Sequence, residues 1–154
     1  MTEKQFWMRL DQLSSRKEGW MLKLTMLLRQ AYEEDLDILI GCHHDTAEDI
    51  RQLYITMGDD TERKGARYLL CYTSKDAARS DPALTEPFEK IALRRVVDNA
   101  LGKASIGGLV FNHHLPEKMY AIPKQFLGDE ETLQKALQKL AEHPSTDPYF
   151  FADL

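Results

Sequence analysis

Two short apolar segments with a helical stretch between them constrain this chain more than any other feature. The segments ARYLLCYTS (Ala66–Ser74) and IGGLVFN (Ile106–Asn112) have the length and the apolar content of buried strands. Between them, apolar residues recur at helical spacing from Phe88 to Leu101, which predicts a long helix. A helical crossover makes the two strands parallel if they are neighbours, so we expect a mixed sheet.

The remaining segments fit the same architecture. Helical periodicity predicts a helical N-terminal segment over residues 1–34, interrupted at SSRKEG (Ser14–Gly19). A short helix capped by Thr73 or Ser74 and a last helix capped by Asp129 are also expected. Further strands are predicted at Leu36–Cys42, Arg51–Gly58 and Lys118–Lys124, and the second of these forms a hairpin with Ala66–Ser74. The prediction is an α+β (mixed α/β) fold, with about five strands in a mixed sheet covered by helices.

Length and composition limit the class of protein. At 154 residues, 43% hydrophobic and 29% charged, the chain predicts one globular domain over residues 1–154. A net charge of −5 and a pI near 5.5 argue against nucleic acid or an anionic membrane as partner, since both require clustered basic residues. No 18-residue apolar run exists, and the charged N-terminus is unlike a signal peptide. With two dispersed cysteines, we expect a cytoplasmic protein.

Four of the five histidines form two doublets, which raises the question of a metal site. Zinc requires three or four converging ligands, and neither doublet has the short fixed spacing of a known zinc motif. This absence favours solvated histidines in turns. The alternative, a shared metal site, requires that the turns after Cys42 and after Asn112 lie at the same edge of the sheet. Its candidate ligands are Cys42, His43, His44, Asp45, His113 and His114.

Other candidate motifs are better explained by structure. Cys71, between Leu70 and Tyr72 in a predicted strand, is expected to be a buried core residue rather than a nucleophile. The glycines of ASIGGLV lack the phosphate-loop pattern and precede a strand instead of joining a strand to a helix. No cofactor is expected.

Large apolar side chains crowd both ends of the chain. They either dock on their own domain or form a surface for a protein partner or for self-association, since large exposed apolar patches are uncommon on monomers. The candidate surface residues are Phe6, Trp7, Tyr149, Phe150, Phe151 and Leu154.

The segment from Ala66 to Leu127 resembles the SseB protein N-terminal domain family (enhanced serine sensitivity). The residues that carry the resemblance are the triplet Tyr72–Ser74, with Tyr where Phe is usual, and the segment Gly108–Asn112, with His113 where Pro is common. The resemblance implies a bacterial domain without an established reaction, cofactor or catalytic residue. At the matching positions it implies structural roles, with Thr73 and Ser74 capping a helix and Asn112 opening a turn.

Together these features predict a non-enzymatic, cytoplasmic interaction or regulatory domain that acts by protein contact. The alternative is a metal-binding protein or metal-dependent enzyme that uses the two histidine doublets. A regulatory domain that binds an effector on the helix-covered sheet is a third hypothesis, which the sequence does not separate from the first.

Overall fold

A computed structural model describes residues 1–44, 50–52, 54–57, 66–82 and 88–142. Its sheet contains seven strand segments, which are β1 (Asp37–His44), β2 (Ile50–Gln52), β3 (Tyr54–Met57), β4 (Ala66–Tyr72), β5 (Phe88–Ala92), β6 (Ile106–Phe111) and β7 (Tyr120–Pro123). The helices of the described chain are α1 (Glu3–Gln12), α2 (Trp20–Glu33), α3 (Lys75–Arg79), α4 (Leu93–Gly102) and α5 (Glu130–Glu142). Short 3-10 turns flank β7 at Pro116–Lys118 and Lys124–Phe126. The predicted α+β fold with a mixed, helix-covered sheet is confirmed.

The pairings place β5, β1, β4, β6 and β7 side by side in that order. Leu39 and Ile40 of β1 pair with β4 on one side and with β5 on the other. Strand β6 lies parallel to β4, and all other pairs among the described strands are antiparallel. The helical crossover therefore joins two neighbouring parallel strands, as the sequence predicts.

The predicted strand Arg51–Gly58 forms two segments instead of one. β2 pairs with the end of β1, where His43 lies opposite Arg51, and β3 pairs antiparallel with β4, where Tyr54 lies opposite Leu69. β1 and β4 pair directly only at Leu39 and Ile40 of β1. Beyond these residues, β2 is the partner of β1 and β3 is the partner of β4. The predicted pairing of β3 with β4 is confirmed.

The predicted helix from Phe88 to Leu101 is wrong in its first part. Phe88–Ala92 is strand β5, which pairs with β1 along five positions, including Ile91 opposite Ile38. The helix begins only at Leu93, where Leu93, Val96, Val97 and Ala100 form a fully buried stripe at helical spacing. The apolar spacing of Phe88–Ala92 fits both a helix and a strand. The backbone groups at the edge of β1 need hydrogen-bond partners, so this segment forms a strand.

Both faces of the central strands β1, β4 and β6 are largely apolar and buried where the structure describes them. One face packs against α1, α2, α4 and α5 and contains Ile38, Ile40 and Cys71. Alternate residues of the same strands, such as Leu39, Leu70 and Tyr72, form a second cluster on the other face with Ala78 of α3. Cys71 is therefore a core residue, as expected.

Local capping explains where several helices begin. Thr2 and Gln5 form a reciprocal capping box at the start of α1. The Ser74 side chain accepts a hydrogen bond from the Ala77 amide at the start of α3, which confirms the expected cap. Asp129 does the same for the Thr132 amide of α5. None of the described helices is both long and apolar enough to cross a membrane.

Candidate functional site

The carboxyl ends of β4 and β6 bring two loops together at one edge of the sheet. Because the two strands are parallel neighbours, the chain leaves both of them at the same edge, where α/β sheets usually bind ligands. The described part of the loop after β4 contains α3, Ser80 and Asp81. The loop after β6 contains His113 and His114. The site is built from these two loops.

Asn112 fixes the path of the second loop. Its backbone lies in the left-handed region, with a φ of 54°, so the chain turns sharply as it leaves β6. Its buried side chain accepts a hydrogen bond from the Thr73 amide at 3.2 Å, and its amide group donates to the Thr73 hydroxyl at 3.0 Å and to the Lys118 carbonyl at 3.2 Å. These bonds tie the end of β6 to the end of β4, which sets the position of the histidines that follow.

Asp81 is a buried carboxylate at the centre of the site. Its Oδ2 atom accepts a hydrogen bond of 2.6 Å from the Tyr72 hydroxyl and lies 2.5 Å from Nε2 of His113. Burial, and then the hydrogen bond to Asp81, raises the pKa of the Tyr72 hydroxyl well above its usual value. Tyr72 therefore remains a protonated donor to this oxygen at any physiological pH.

His114 lies on the other side of the same oxygen. Its Nε2 atom is 2.9 Å from the Ser80 hydroxyl, which already donates its proton to the Ala77 carbonyl at 2.9 Å. The tautomer consistent with this donation carries the imidazole proton on Nε2, with Ser80 as the acceptor. The Nδ1 atom then carries a lone pair. It is buried, has no hydrogen-bond partner among the residues that the structure describes, and lies 3.9 Å from Oδ2 of Asp81.

Burial also sets the charge of His114. Loss of water around the ring lowers its pKa below the usual value, and this effect outweighs the attraction of Asp81, which raises it. The neighbouring imidazole of His113, whose ring centroid is 5.4 Å away, lowers the pKa further. His114 is thus neutral near pH 7, as a metal ligand must be.

Asp81, His113 and His114 together form a candidate metal centre. One ligand atom from each residue lies within 4.8 Å of the other two, and within the described chain this is the group of histidine, cysteine and acidic side chains with that geometry. Two imidazoles and one carboxylate form a donor set that suits zinc and other divalent transition metals.

The two histidine doublets do not share this centre. β1 runs antiparallel to β4, and β6 runs parallel to β4, so His44 at the end of β1 and His113 after β6 lie at opposite edges of the sheet. The condition for a shared site is not met, which corrects the hypothesis that combined the doublets. Cys42 is buried among apolar side chains of the core, and Asp45 lies outside the described residues.

The predicted interaction surface is also corrected at Phe6. This side chain is fully buried, and its ring lies 6.2 Å from that of Phe111, because α1 packs its apolar stripe against the sheet. Trp7 is half-buried and packs against the same core. The other expected surface residues, Tyr149, Phe150, Phe151 and Leu154, lie outside the described residues.

Asp81, Tyr72 and Ser80 are site residues that the sequence alone does not mark. Asp81 stands alone in the sequence RSDP, and 32 positions separate it from His113, so no local motif marks it. The signal that exists is topological. Two predicted parallel strands bring their following loops together, and an acid in the loop after β4 is then a natural partner for histidines in the loop after β6.

Comparison of the chain with known protein families, with curated proteins and with solved structures found no match.

Proposed function

We propose that this protein binds a divalent transition-metal ion through Asp81, His113 and His114. One observation carries the proposal, which is the pair formed by Nδ1 of His114 and Oδ2 of Asp81, 3.9 Å apart and buried. Nδ1 of His114 has no hydrogen-bond partner among the described residues, and the nearest carboxylate oxygen is the Oδ2 atom of Asp81. A cation between the two atoms would satisfy the ring nitrogen and offset the charge of the buried carboxylate.

The surrounding groups orient the ligands as metal sites require. Metal-binding imidazoles usually donate their second ring N–H to a neighbouring acceptor, and Nε2 of His114 donates to Ser80. Ligating carboxylates are hydrogen-bonded in turn, and Asp81 accepts from Tyr72. Ser80 lies in the same loop as Asp81, and Tyr72 is the last residue before that loop. The loop after β4 therefore supplies the ligand Asp81 and the groups that orient Asp81 and His114.

The distances indicate a small rearrangement on binding. Zinc ligands at about 2.0–2.2 Å from the ion lie roughly 3.4 Å from one another in a tetrahedron. The 3.9 Å gap between His114 and Asp81 is about half an ångström wider, and the 2.5 Å contact between His113 and Asp81 is shorter. A bound ion therefore replaces the hydrogen bond between His113 and Asp81, and His113 becomes the third ligand.

The described residues supply three ligands, which leaves a coordination position for water or a substrate. Imidazole and carboxylate donors favour zinc, iron, nickel and copper over calcium and magnesium, which take oxygen ligands. An open fourth position is typical of catalytic zinc sites, and structural sites have four protein ligands. The donor set thus points to a protein that binds a transition-metal ion.

Isothermal titration of the metal-stripped full-length protein with Zn²⁺ tests the proposal. We expect one zinc ion per chain, and a loss of affinity of at least about 100-fold in Asp81→Asn and in His114→Gln, more than a supporting residue would cause. The matched control replaces the other doublet, His43→Gln with His44→Gln, and we expect zinc binding to persist. Circular dichroism of each variant confirms that it is folded. Wild-type affinity in folded Asp81→Asn, or loss of binding in the control doublet, would refute the proposal.

A specific observation favours a second candidate function, self-association through α1 and α2. Leu22 and Met26 lie one turn apart on α2, and 47% and 63% of their surfaces are exposed. Met26 borders a groove between α1 and α2, which is lined by Leu13 and Leu27 and otherwise by polar and charged side chains. Two copies related by a twofold axis can each insert the exposed ridge into the groove of the other. This role agrees with the interaction domain that the sequence predicts.

Size-exclusion chromatography with light scattering tests this second candidate. We expect a concentration-dependent dimer in the wild-type protein, and a monomer when Leu22→Gln and Met26→Gln are combined. The control is Leu101→Gln, which removes an exposed leucine of α4 outside the groove. A strict monomer at high concentration would contradict this role, and so would a dimer that persists in the double variant.

A further inference from the structure

A cavity separate from the metal site lies where three helices meet. It is bounded by the last turns of α2 and α4 and by the turn that leads into α5, and its volume is about 360 Å³. Small-molecule sites typically have volumes of about 300–1,000 Å³, so the cavity is large enough for a small organic ligand. None of its lining residues belongs to the metal site, so its function is independent of the proposed metal binding.

The lower part of the cavity is apolar. Leu28 of α2 and Val97 of α4 are buried core residues at its base, and Leu127 packs against the same core. Leu101 stands at the side with 42% of its surface exposed, although three apolar residues lie beside it. A ligand that covered Leu101 and reached Val97 would bury apolar surface that water now contacts.

The rim of the cavity is acidic. Three carboxylates, Glu33, Asp129 and Glu130, surround it, and Arg29 is the basic residue of the lining. Arg29 is engaged with Glu130 at 3.2 Å and donates to the Gly128 carbonyl at 3.1 Å. Glu33 and Asp129 therefore carry a negative charge that Arg29 does not balance.

The charge of Asp129 is secure near neutral pH. Its carboxylate accepts a hydrogen bond of 2.8 Å from the Thr132 amide, and this bond lowers the pKa of Asp129 below its usual value. The same carboxylate caps the positive end of α5, which would otherwise favour an anion in the cavity.

The helix ends at the cavity are bound by basic side chains. Arg94 donates to the Tyr32 carbonyl in the last turn of α2 at 3.2 Å, and Lys124 donates to the Lys103 carbonyl just after α4 at 3.4 Å. The negative potential of the rim therefore comes from its carboxylates, which make the rim complementary to a positive group.

We propose that this cavity binds an organic cation with an apolar body, such as an alkylammonium group. The apolar part lies against Val97 and Leu101, and the positive group lies at the rim beside Glu33 and Asp129.

Three probes of matched size test the proposal by nuclear magnetic resonance of the full-length protein, namely n-hexylammonium, 1-hexanol and n-hexanoate. We expect hexylammonium to shift the amide signals of Leu101 and Gly128, and to bind at least about tenfold more tightly than hexanoate. The difference decreases as salt is added, because the rim charges are exposed to solvent. Hexanol is expected to bind between the two.

Variants separate the charge effect from the apolar effect. Glu33→Gln should weaken hexylammonium binding roughly threefold or more, because it removes one rim charge. Leu101→Lys should abolish it, because a lysine places its own cation at the rim. Glu142→Gln, an exposed residue of α5 outside the cavity, is the control and should leave binding unchanged. The proposal fails if hexanoate binds as tightly as hexylammonium, if neither probe shifts signals at the cavity, or if Glu142→Gln weakens binding as much as Glu33→Gln.

Discussion

The Tyr72 hydroxyl donates a 2.6 Å hydrogen bond to Oδ2 of Asp81, and both side chains are buried. Tyr72 is the last residue of β4, and Asp81 follows α3, so this bond closes the loop between them. It holds a carboxylate in the interior at the point where the two histidines approach. The stability of the loop and the geometry of the proposed metal site thus depend on the same contact.

Replacing Tyr72 with phenylalanine removes this donor and changes little else in the packing. We expect the free energy of unfolding to fall by about 1–3 kcal/mol, because the buried carboxylate loses a hydrogen bond. We also expect zinc affinity to fall about tenfold, since Asp81 is less well oriented. Urea denaturation and zinc titration measure the two effects. Tyr32→Phe is the control, because its hydroxyl bonds to Asp98 on the surface. Equal losses of stability in both variants would count against a special role for Tyr72.

The lowered pKa of His114 predicts a pH dependence of stability. The folded protein holds the imidazole neutral, and the unfolded chain protonates it near its usual pKa of 6.5. Below pH 6.5 the unfolded state therefore binds more protons, and stability falls as the pH decreases towards the folded-state pKa. Above pH 6.5 this contribution is fully present. Urea denaturation between pH 8 and about pH 5 measures the slope, which should be smaller in His114→Gln. An unchanged slope in that variant would show that other groups cause the dependence.

Two substitutions of Asn112 separate its backbone role from its side-chain role. Asn112→Gly keeps access to the left-handed conformation but loses the hydrogen bonds to Thr73 and Lys118, and we expect a loss of about 2 kcal/mol. Asn112→Ala loses the same bonds and must also adopt a φ near 54°, which costs about 1 kcal/mol more. Thermal and urea denaturation of both variants test this order. Alanine equal to or better than glycine would exclude a backbone requirement at this position.

Gly108 is required by the close approach of β6 and β7. A methyl group at this position would lie 2.1 Å from the Ile122 carbonyl oxygen and 2.9 Å from the Cα atom of Pro123, and both are backbone atoms that cannot move alone. We expect Gly108→Ala to destabilise the protein by about 2–3 kcal/mol. Gly102→Ala at the end of α4 meets open space, and we expect no loss or a gain of up to about 1 kcal/mol. Similar stabilities of the two variants would contradict the contact.

Much of the fold follows from patterns that the sequence displays directly. The helical stripe from Leu93 to Ala100 and the caps at Ser74 and Asp129 are local features, and the structure contains all of them. The strand Phe88–Ala92 was not predictable in this way. Its apolar residues fit a helix equally well, and only its pairing with Asp37–Gly41, about fifty positions earlier in the chain, makes it a strand.

The candidate site was harder to predict than the fold. The sequence identifies His113 and His114 by their spacing but pairs them with His43 and His44, because it does not show the relative direction of β1 and β6. Asp81 is recognisable as a site residue only once β4 and β6 are paired in parallel, because this pairing brings together the loops that follow them. A search for acids in the loop after β4 would have found it, because the crossover between β4 and β6 is itself predictable.

The parallel pairing of β4 with β6 has a consequence for the order of folding. Asp81 follows β4 and the two histidines follow β6, so their contacts form only after these strands have paired. This pairing closes a loop of more than thirty residues. Pairings between distant segments are slow, because chain entropy is lost before any contact forms. During synthesis the hairpin of β3 and β4 leaves the ribosome well before β6, so a growing chain acquires the three proposed metal ligands only when β6 reaches the sheet. Metal binding during synthesis would therefore indicate that the sheet is complete, and not only that the chain has collapsed.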